Sequence, residues 1–251
     1  MEKFANKVAI VTGSSSGIGS AITTELVKHG VIVVGVARRI DRLKKIADDL
    51  NEPGKAARFH PLKCDVTVES EIEKSFKWIT SEIGPVAILV NNAGALKPSL
   101  LKDVTAEMIS QVFDTNVKAA MLWAKLAVES MTKNSIEGHI ININSVAGHV
   151  LLSYKPNPLQ VYSASKFAQR AYSEALRREL VSQNADIKVT NLSPGATLTE
   201  MMTEFESSAG SLPDKKILAP KDIANACIYV LSTPSNVLVS ELSIMPLHQD
   251  L

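Results

Sequence analysis

The sequence predicts a doubly wound α/β domain, one parallel sheet with helices on both faces, and three observations carry that prediction. Short runs rich in β-branched residues alternate with longer amphipathic runs along almost the whole chain. Runs such as VIVVGV at 31–36 and VAILV at 86–90 are apolar without alternation, which requires cover on both faces of the sheet. The chain has 251 residues with 45% hydrophobic content, ample for one large core, and no repeat, low-complexity tract or linker divides it. A single domain over 1–251 is expected.

Taken in order, the first strand is KVAIVT at 7–12, followed by a helix at 18–29. The strand at 31–36 leads to a helix at 41–51, and the strand at 57–64 to a helix at 68–83. After the strand at 86–90 comes the longest helical pattern, 106–133, then the strand HIININ at 139–144 and a helix at 160–183. The strand IKVTNL at 187–192, a helix at 221–232 and a seventh strand at 237–244 complete the series. Each helix rests on apolar residues spaced three and four apart, and each strand on a short β-branched run bounded by turn residues. Residues 195–216 (GATLTEMMTEFESSAGSLPDKK) break the alternation with two glycines, a proline and a Met/Phe cluster. They form either a substrate-binding flap, which position in an α/β sheet favours, or a plain surface excursion.

The charge balance, 27 basic against 26 acidic residues, gives +1 with no long like-charge run, so neither nucleic acid nor a membrane surface is an expected partner. Cys64 and Cys227 lack any CxxC or Cys/His ligand spacing, which points away from a disulfide framework and from a metal site. They read as small buried residues in a reducing compartment. MEKFANKVAIVTG runs straight into a strand without the pattern of a signal peptide, and no apolar run approaches the roughly 18 to 20 residues of a membrane span. A cytoplasmic location is the expectation.

TGSSSGIG follows the first strand and opens a helix, placing Gly13, Ser15, Ser16, Gly17, Ile18 and Gly19 where backbone amides at a helix N-terminus meet a pyrophosphate. The spacing is GxxxGxG and no Lys-Ser/Thr follows, so a dinucleotide is preferred over a nucleoside triphosphate. At the end of the second strand, where an NAD site carries an acidic residue for the ribose 2′-hydroxyl, stand Ala37, Arg38 and Arg39. A guanidinium binds a 2′-phosphate through two parallel hydrogen bonds, so NADP(H) is the expected cofactor and NAD(H) the weaker alternative. Asp65, closing the third strand, is either an acceptor for the adenine amino group or a cap for the next helix.

TGSSSGIG, NNAG at 91–94, Asn116, Ser145, YSASK at 162–166 and SPG at 193–195 together resemble the short-chain dehydrogenase/reductase family, in order along nearly the entire chain. The resemblance implies a dinucleotide-binding Rossmann fold and assigns four catalytic residues. Tyr162 is the general acid/base, and Lys166 lowers its pKa while binding the nicotinamide ribose. Ser145 polarises the substrate oxygen, and Asn116 anchors a proton relay through water. A cation near a phenol favours the phenolate, which gives the pairing its physical sense. YSASK holds the only Tyr-x-x-x-Lys of the sequence. By the same resemblance Val66 lies with Asp65 near the adenine, and Asn92, Ala93 and Gly94 lie beside the adenosine. Asn91 also ties strands together, and Pro194, Gly195, Thr197 and Thr199 meet the nicotinamide carboxamide. The long helices at 106–133 and 160–183 commonly pair subunits in this family, implying a homodimer or homotetramer.

Ser145 and Tyr162 are 17 residues apart, a few more than is usual in the family, so HVLLSYKPNP reads as an enlarged loop at the substrate mouth whose Leu151, Leu152 and Tyr154 supply apolar lining. GHIININSVAGH and the carboxyl-terminal stretch from APKDIANACIYVL onward are similar to an animal, insect-like farnesol-dehydrogenase-like subgroup. This implies an NADP(H) enzyme interconverting an apolar, terpenoid-like alcohol with its aldehyde or ketone. Met201, Met202, Phe205 and Leu212 on the flap agree with a greasy substrate. A keto-steroid or broad carbonyl reductase is the alternative within the family, and a non-catalytic NADP(H)-binding redox sensor the alternative outside it.

Overall fold

Val8–Thr12 forms the first strand, β1, and its side chains part between two cores. Ala9 and Val11 face one cluster of buried residues, and Val8 and Ile10 face another. The remaining strands are β2 (Ile32–Ala37), β3 (Phe59–Lys63), β4 (Val86–Asn91), β5 (Gly138–Ile143), β6 (Ile187–Pro194) and β7 (Glu241–Ile244). This computed structural model describes residues 1–153, 156–209 and 217–249, and among them the seven strands make one sheet in the order β3-β2-β1-β4-β5-β6-β7. Every pairing is parallel. Pro61, which lacks a ladder donor, sits on the edge strand β3 opposite Gly35.

The helices are α1 (Gly17–Lys28), α2 (Ile40–Leu50), α3 (Glu69–Trp78), α4 (Ala106–Phe113), α5 (Ala119–Lys133), α6 (Gln160–Ser182), α7 (Glu200–Ala209) and α8 (Pro220–Ser232). Ile22 and Leu26 of α1, Leu43 of α2 and Ile223 and Leu231 of α8 join one core; Ile72 and Phe76 of α3, Trp123 of α5 and Leu180 of α6 join the other. Cys227 and Cys64 are buried as free thiols, one in each core. No helix among the described residues is long and apolar enough to cross a membrane.

Three segments depart from the sequence reading. The pattern at 106–133 predicts one helix, but Asp114–Lys118 is a π turn between α4 and α5 that brings Asn116 fully inside. A second π turn, Ile79–Ile83, ends the helix expected at 68–83. Within the expected flap at 195–216, α7 forms because Met201 and Phe205 recur at a helical spacing and the Thr199 hydroxyl accepts from Met202 N at 3.2 Å. Residues 210–216, Leu212 among them, lie outside the described residues, as does Tyr154.

Chain order reverses between β1 and β4, so the crevice beyond their carboxyl ends is where a doubly wound sheet takes its ligand. The loop after β1 and the NNAG segment after β4 meet there.

Candidate active site

The glycine loop is built to bring backbone, not side chains, to the crevice. Gly13 has φ +67°, and a Cβ on it would stand 2.9 Å from the Ala93 Cα. A Cβ on Gly19 would meet the Gly13 carbonyl oxygen at 2.4 Å, so the first turn of α1 packs directly on the loop. Asn92 locks the arrangement by donating from Nδ2 to the Thr12 and Gly13 carbonyls at 2.9 and 3.1 Å. The Thr12 hydroxyl in turn accepts from the Asn92 and Ala93 amides, both at 3.0 Å. Asn91 donates to Asn142 Oδ1 and to the Ala120 carbonyl, tying β4 to β5 and α5.

Ser16 is the N-cap of α1, yet its side chain caps nothing in the helix. Its hydroxyl instead receives Arg39 Nη2 at 2.9 Å, and Ser15 receives the same nitrogen at 3.3 Å. The amides of the first turn of α1 are therefore not taken by that cap, and a guanidinium stands beside them. Of the two expected arginines, Arg39 is the one turned to the loop, while Arg38 acts on Asp65. Burial raises the Asp65 carboxyl, but hydrogen bonds from Thr67 and the charge of Arg38 outweigh it, holding the group below its usual range. Thr67 N and Oγ1 both bond Asp65 Oδ1, at 3.0 and 2.7 Å, so Asp65 shapes the turn into α3 without being its N-cap. Ile18 and Val66 are partly buried, each packed against one of the two cores.

At the other side of the crevice, Ser145 follows β5 and Tyr162 and Lys166 lie one turn apart near the start of α6. The Ser145 hydroxyl accepts from Ala147 N at 3.1 Å and is within hydrogen-bonding reach of the Tyr162 phenol. Asn116 commits both amide hydrogens, to the Ala95 carbonyl and Ser165 Oγ, each at 2.9 Å, and Oδ1 accepts from Ala95 N at 2.7 Å. Its side chain thus braces the segment after β4 against α6.

Burial acts on both members of the Tyr-x-x-x-Lys pair. The sequence reading has Lys166 draw the phenol toward neutral pH; in the structure Tyr162 is pushed up to about 12 by desolvation, with Ser145 pulling weakly the other way. Desolvation also pushes Lys166 down to about 7. The ammonium lies 5.7 Å from the centre of the Tyr162 ring and donates to the Ile143 carbonyl at 2.9 Å and Gln169 Oε1 at 3.0 Å. Desolvation is the largest influence on both groups.

The segment after β6 closes the site. Pro194 ends β6, Gly195 packs so tightly under Pro246 and Gln249 that a Cβ would clash, and Thr197 is buried with its hydroxyl on the Gly195 carbonyl at 2.9 Å. A Cβ on Gly17 would lie 3.1 Å from Thr199 Cγ2, which sets this segment against the glycine loop. Met201 reaches toward Gly94, whose added Cβ would be 3.5 Å from Met201 Cε and 3.7 Å from Asn116 Oδ1. Phe205 is buried at 3% exposure, Leu152 is half-buried and Leu151 is exposed.

The family model for short chain dehydrogenase matches residues 7–210. The chain belongs to the short-chain dehydrogenase family. It is 44% identical over 247 residues to the farnesol dehydrogenase of Aedes aegypti, covering 98% of each chain. To the human dehydrogenase/reductase SDR family member 11 it is 36% identical over 258 residues, covering 99% of this chain and 97% of the other. Among solved structures, the closed form of a serine dehydrogenase complexed with NADP+ superposes with a TM-score of 0.86 at 28% identity, covering 97% of this chain and 96% of that one. The protein is an oxidoreductase of this family.

For a short-chain dehydrogenase the site also contains residues that the sequence reading missed. Gln169 stands three residues after Lys166 and Arg42 three after Arg39, spacings that share a helix face and were open to inspection. Glu200, which pairs with both Arg39 and Arg42, lies 161 residues from Arg39 and left no local signal.

Proposed function

We propose that the protein is an NADP(H)-dependent oxidoreductase interconverting an apolar, terpenoid-like alcohol with its aldehyde or ketone. The observation that carries the reading is the meeting of Tyr162, Ser145 and Lys166 across the crevice from a glycine loop that bears a guanidinium on Ser15 and Ser16. The nucleotide, when bound, supplies hydride donor and acceptor chemistry. Backbone amides from Gly13 through Gly19 hold its pyrophosphate, and Arg38 and Arg39 its 2′-phosphate. Asp65, Val66, Asn92, Ala93 and Gly94 border the adenosine, and Pro194, Gly195, Thr197 and Thr199 the nicotinamide.

Tyr162 Oη moves the proton. In reduction it donates to the oxygen developing negative charge, and a phenol held protonated up to about 12 begins with that proton in place. In oxidation the phenolate form, which the positive charge of the oxidised nicotinamide would favour, takes the proton of the alcohol. Ser145 keeps a fixed hydroxyl on the same oxygen, a donor that needs no reorganisation as charge develops. Lys166 orients the ribose. Met201 and Leu152 supply apolar wall, in keeping with the farnesol named for the Aedes aegypti relative.

NADPH absorbance followed with a medium-chain or terpenoid aldehyde tests the reading. Tyr162→Phe is expected to lower kcat at least about a hundredfold while leaving NADPH binding intact. Turnover kept in that variant, or a wild type that uses NADH as readily as NADPH, contradicts it.

A further inference from the structure

Two arginines share one carboxylate at the mouth of the phosphate loop. Glu200, the first residue of α7, receives Arg39 Nη1 on Oε2 at 2.7 Å and Arg42 Nη1 on Oε1. The other terminal nitrogen of Arg39 stays on Ser15 and Ser16. These side chains line a cleft of about 710 Å³ with Ser16, Gly17 and Thr199, directly over the start of α1. Hydrogen bonds from Arg39 and then Arg42 hold the Glu200 carboxyl below its usual range, so it is ionised at working pH.

Two guanidinium groups converging on one pair of anionic oxygens suit a phosphate as well as a carboxylate, and a phosphate carries more charge and a further acceptor oxygen. Arg39, Arg42 and Glu200 are each about half exposed, at 46% of the side chain, and exposed ion pairs are individually weak. The carboxylate is therefore replaceable, and beside an incoming phosphate it is also repulsive.

We propose that Arg42 completes the clamp for the phosphorylated ribose and that Glu200 is a built-in competitor for it, a carboxylate the nucleotide's 2′-phosphate must displace. The inference rests on the 2′-phosphorylated cofactor of the preceding subsection. The competitor lowers affinity for the phosphorylated nucleotide and hastens its release, the kind of step that limits many enzymes once chemistry is fast. Displacement also unties the first turn of α7, the helix that carries Met201 to the substrate side of the crevice.

Adenosine 2′,5′-bisphosphate and adenosine 5′-monophosphate serve as probes that differ in the 2′-phosphate alone. Calorimetric titration of the wild type, Glu200→Gln, Arg42→Ala and the double variant reads the exchange. Glu200→Gln is expected to tighten the bisphosphate about fivefold, leave the monophosphate unchanged and slow NADP+ release in stopped flow. Arg42→Ala is expected to weaken the bisphosphate and to shrink the effect of Glu200→Gln. A wild type that takes both probes equally overturns the 2′-phosphate reading and this inference with it. A wild type that prefers the bisphosphate, with Glu200→Gln binding it equally or less tightly, overturns the competitor alone and makes Glu200 a brace for the arginines.

Discussion

Lys166 and Tyr162 sit one helical turn apart, and burial acts on them in opposite directions. The lysine is lowered from 10.5 to about 7 and the tyrosine raised from 10.0 to about 12. Between pH 7 and 10.5 the unfolded chain binds the lysine proton that the folded chain has lost, so this group makes stability rise with pH through that window. Below about pH 7 the cost of the buried ammonium is present in full. Tyr162 contributes the other sign, and only later: its share is intact below pH 10 and is lost as pH rises toward 12. Between pH 7 and 9 the lysine acts alone of the two. Denaturant titrations there are expected to show wild-type stability gaining on Lys166→Met as pH rises, and a constant difference between the two would contradict a destabilised ammonium. YSASK disclosed which side chains pair, but not that the lysine's hydrogen bonds go to the Ile143 carbonyl and Gln169. That depends on what the rest of the fold puts against α6.

At the scale of elements, spacing located the helices and strands well where burial alone sets the pattern, as on the inner face of α1 and along β1, buried on both faces. It failed where a helix had to do two things. The segment at 106–133 must bury an apolar face and also turn Asn116 toward Ala95 and Ser165, and the π turn at Asp114–Lys118 reconciles the two. Apolar periodicity contains no term for that polar demand. The start of α4 is simpler: Thr105 Oγ1 accepts from Met108 N at 3.2 Å at an exposed helix end, at the opposite end of α4 from the turn that holds Asn116. Thr105→Ala is expected to cost about 1 kcal/mol of stability by denaturant midpoint, with kcat unchanged. A loss of activity in step with stability would instead tie α4 to the chemistry. α7 shows the reverse error, since its glycine- and proline-rich surroundings hid a ten-residue helix.

For the whole molecule, the sheet order gathers the strand-end segments of the site at one end of the sheet. The glycine loop, NNAG, Ser145 and the stretch after β6 all follow the carboxyl ends of parallel strands, so loops distant in sequence converge by construction. The same wrapping leaves Met121 on α5 and Phe167 on α6 exposed at 43% and 38%. Our reading of these two helices as a subunit contact predicts a dimer or tetramer in sedimentation velocity, dissociated by Met121→Lys with Phe167→Lys. A wild type that sediments as a monomer at micromolar concentration would contradict it.

The sequence by itself determined the alternation of strands and helices, the glycine turn and the Tyr-x-x-x-Lys pair, because each is written in residue type and short-range spacing. Tertiary structure alone decided that Glu200 grips Arg39 and Arg42 across 161 residues and that Lys166 loses its water. It also decided that Asn116 spends its amide on Ala95 and Ser165. Desolvation and long-range pairing are properties of what surrounds a side chain, and the surroundings exist only once the sheet has closed over them.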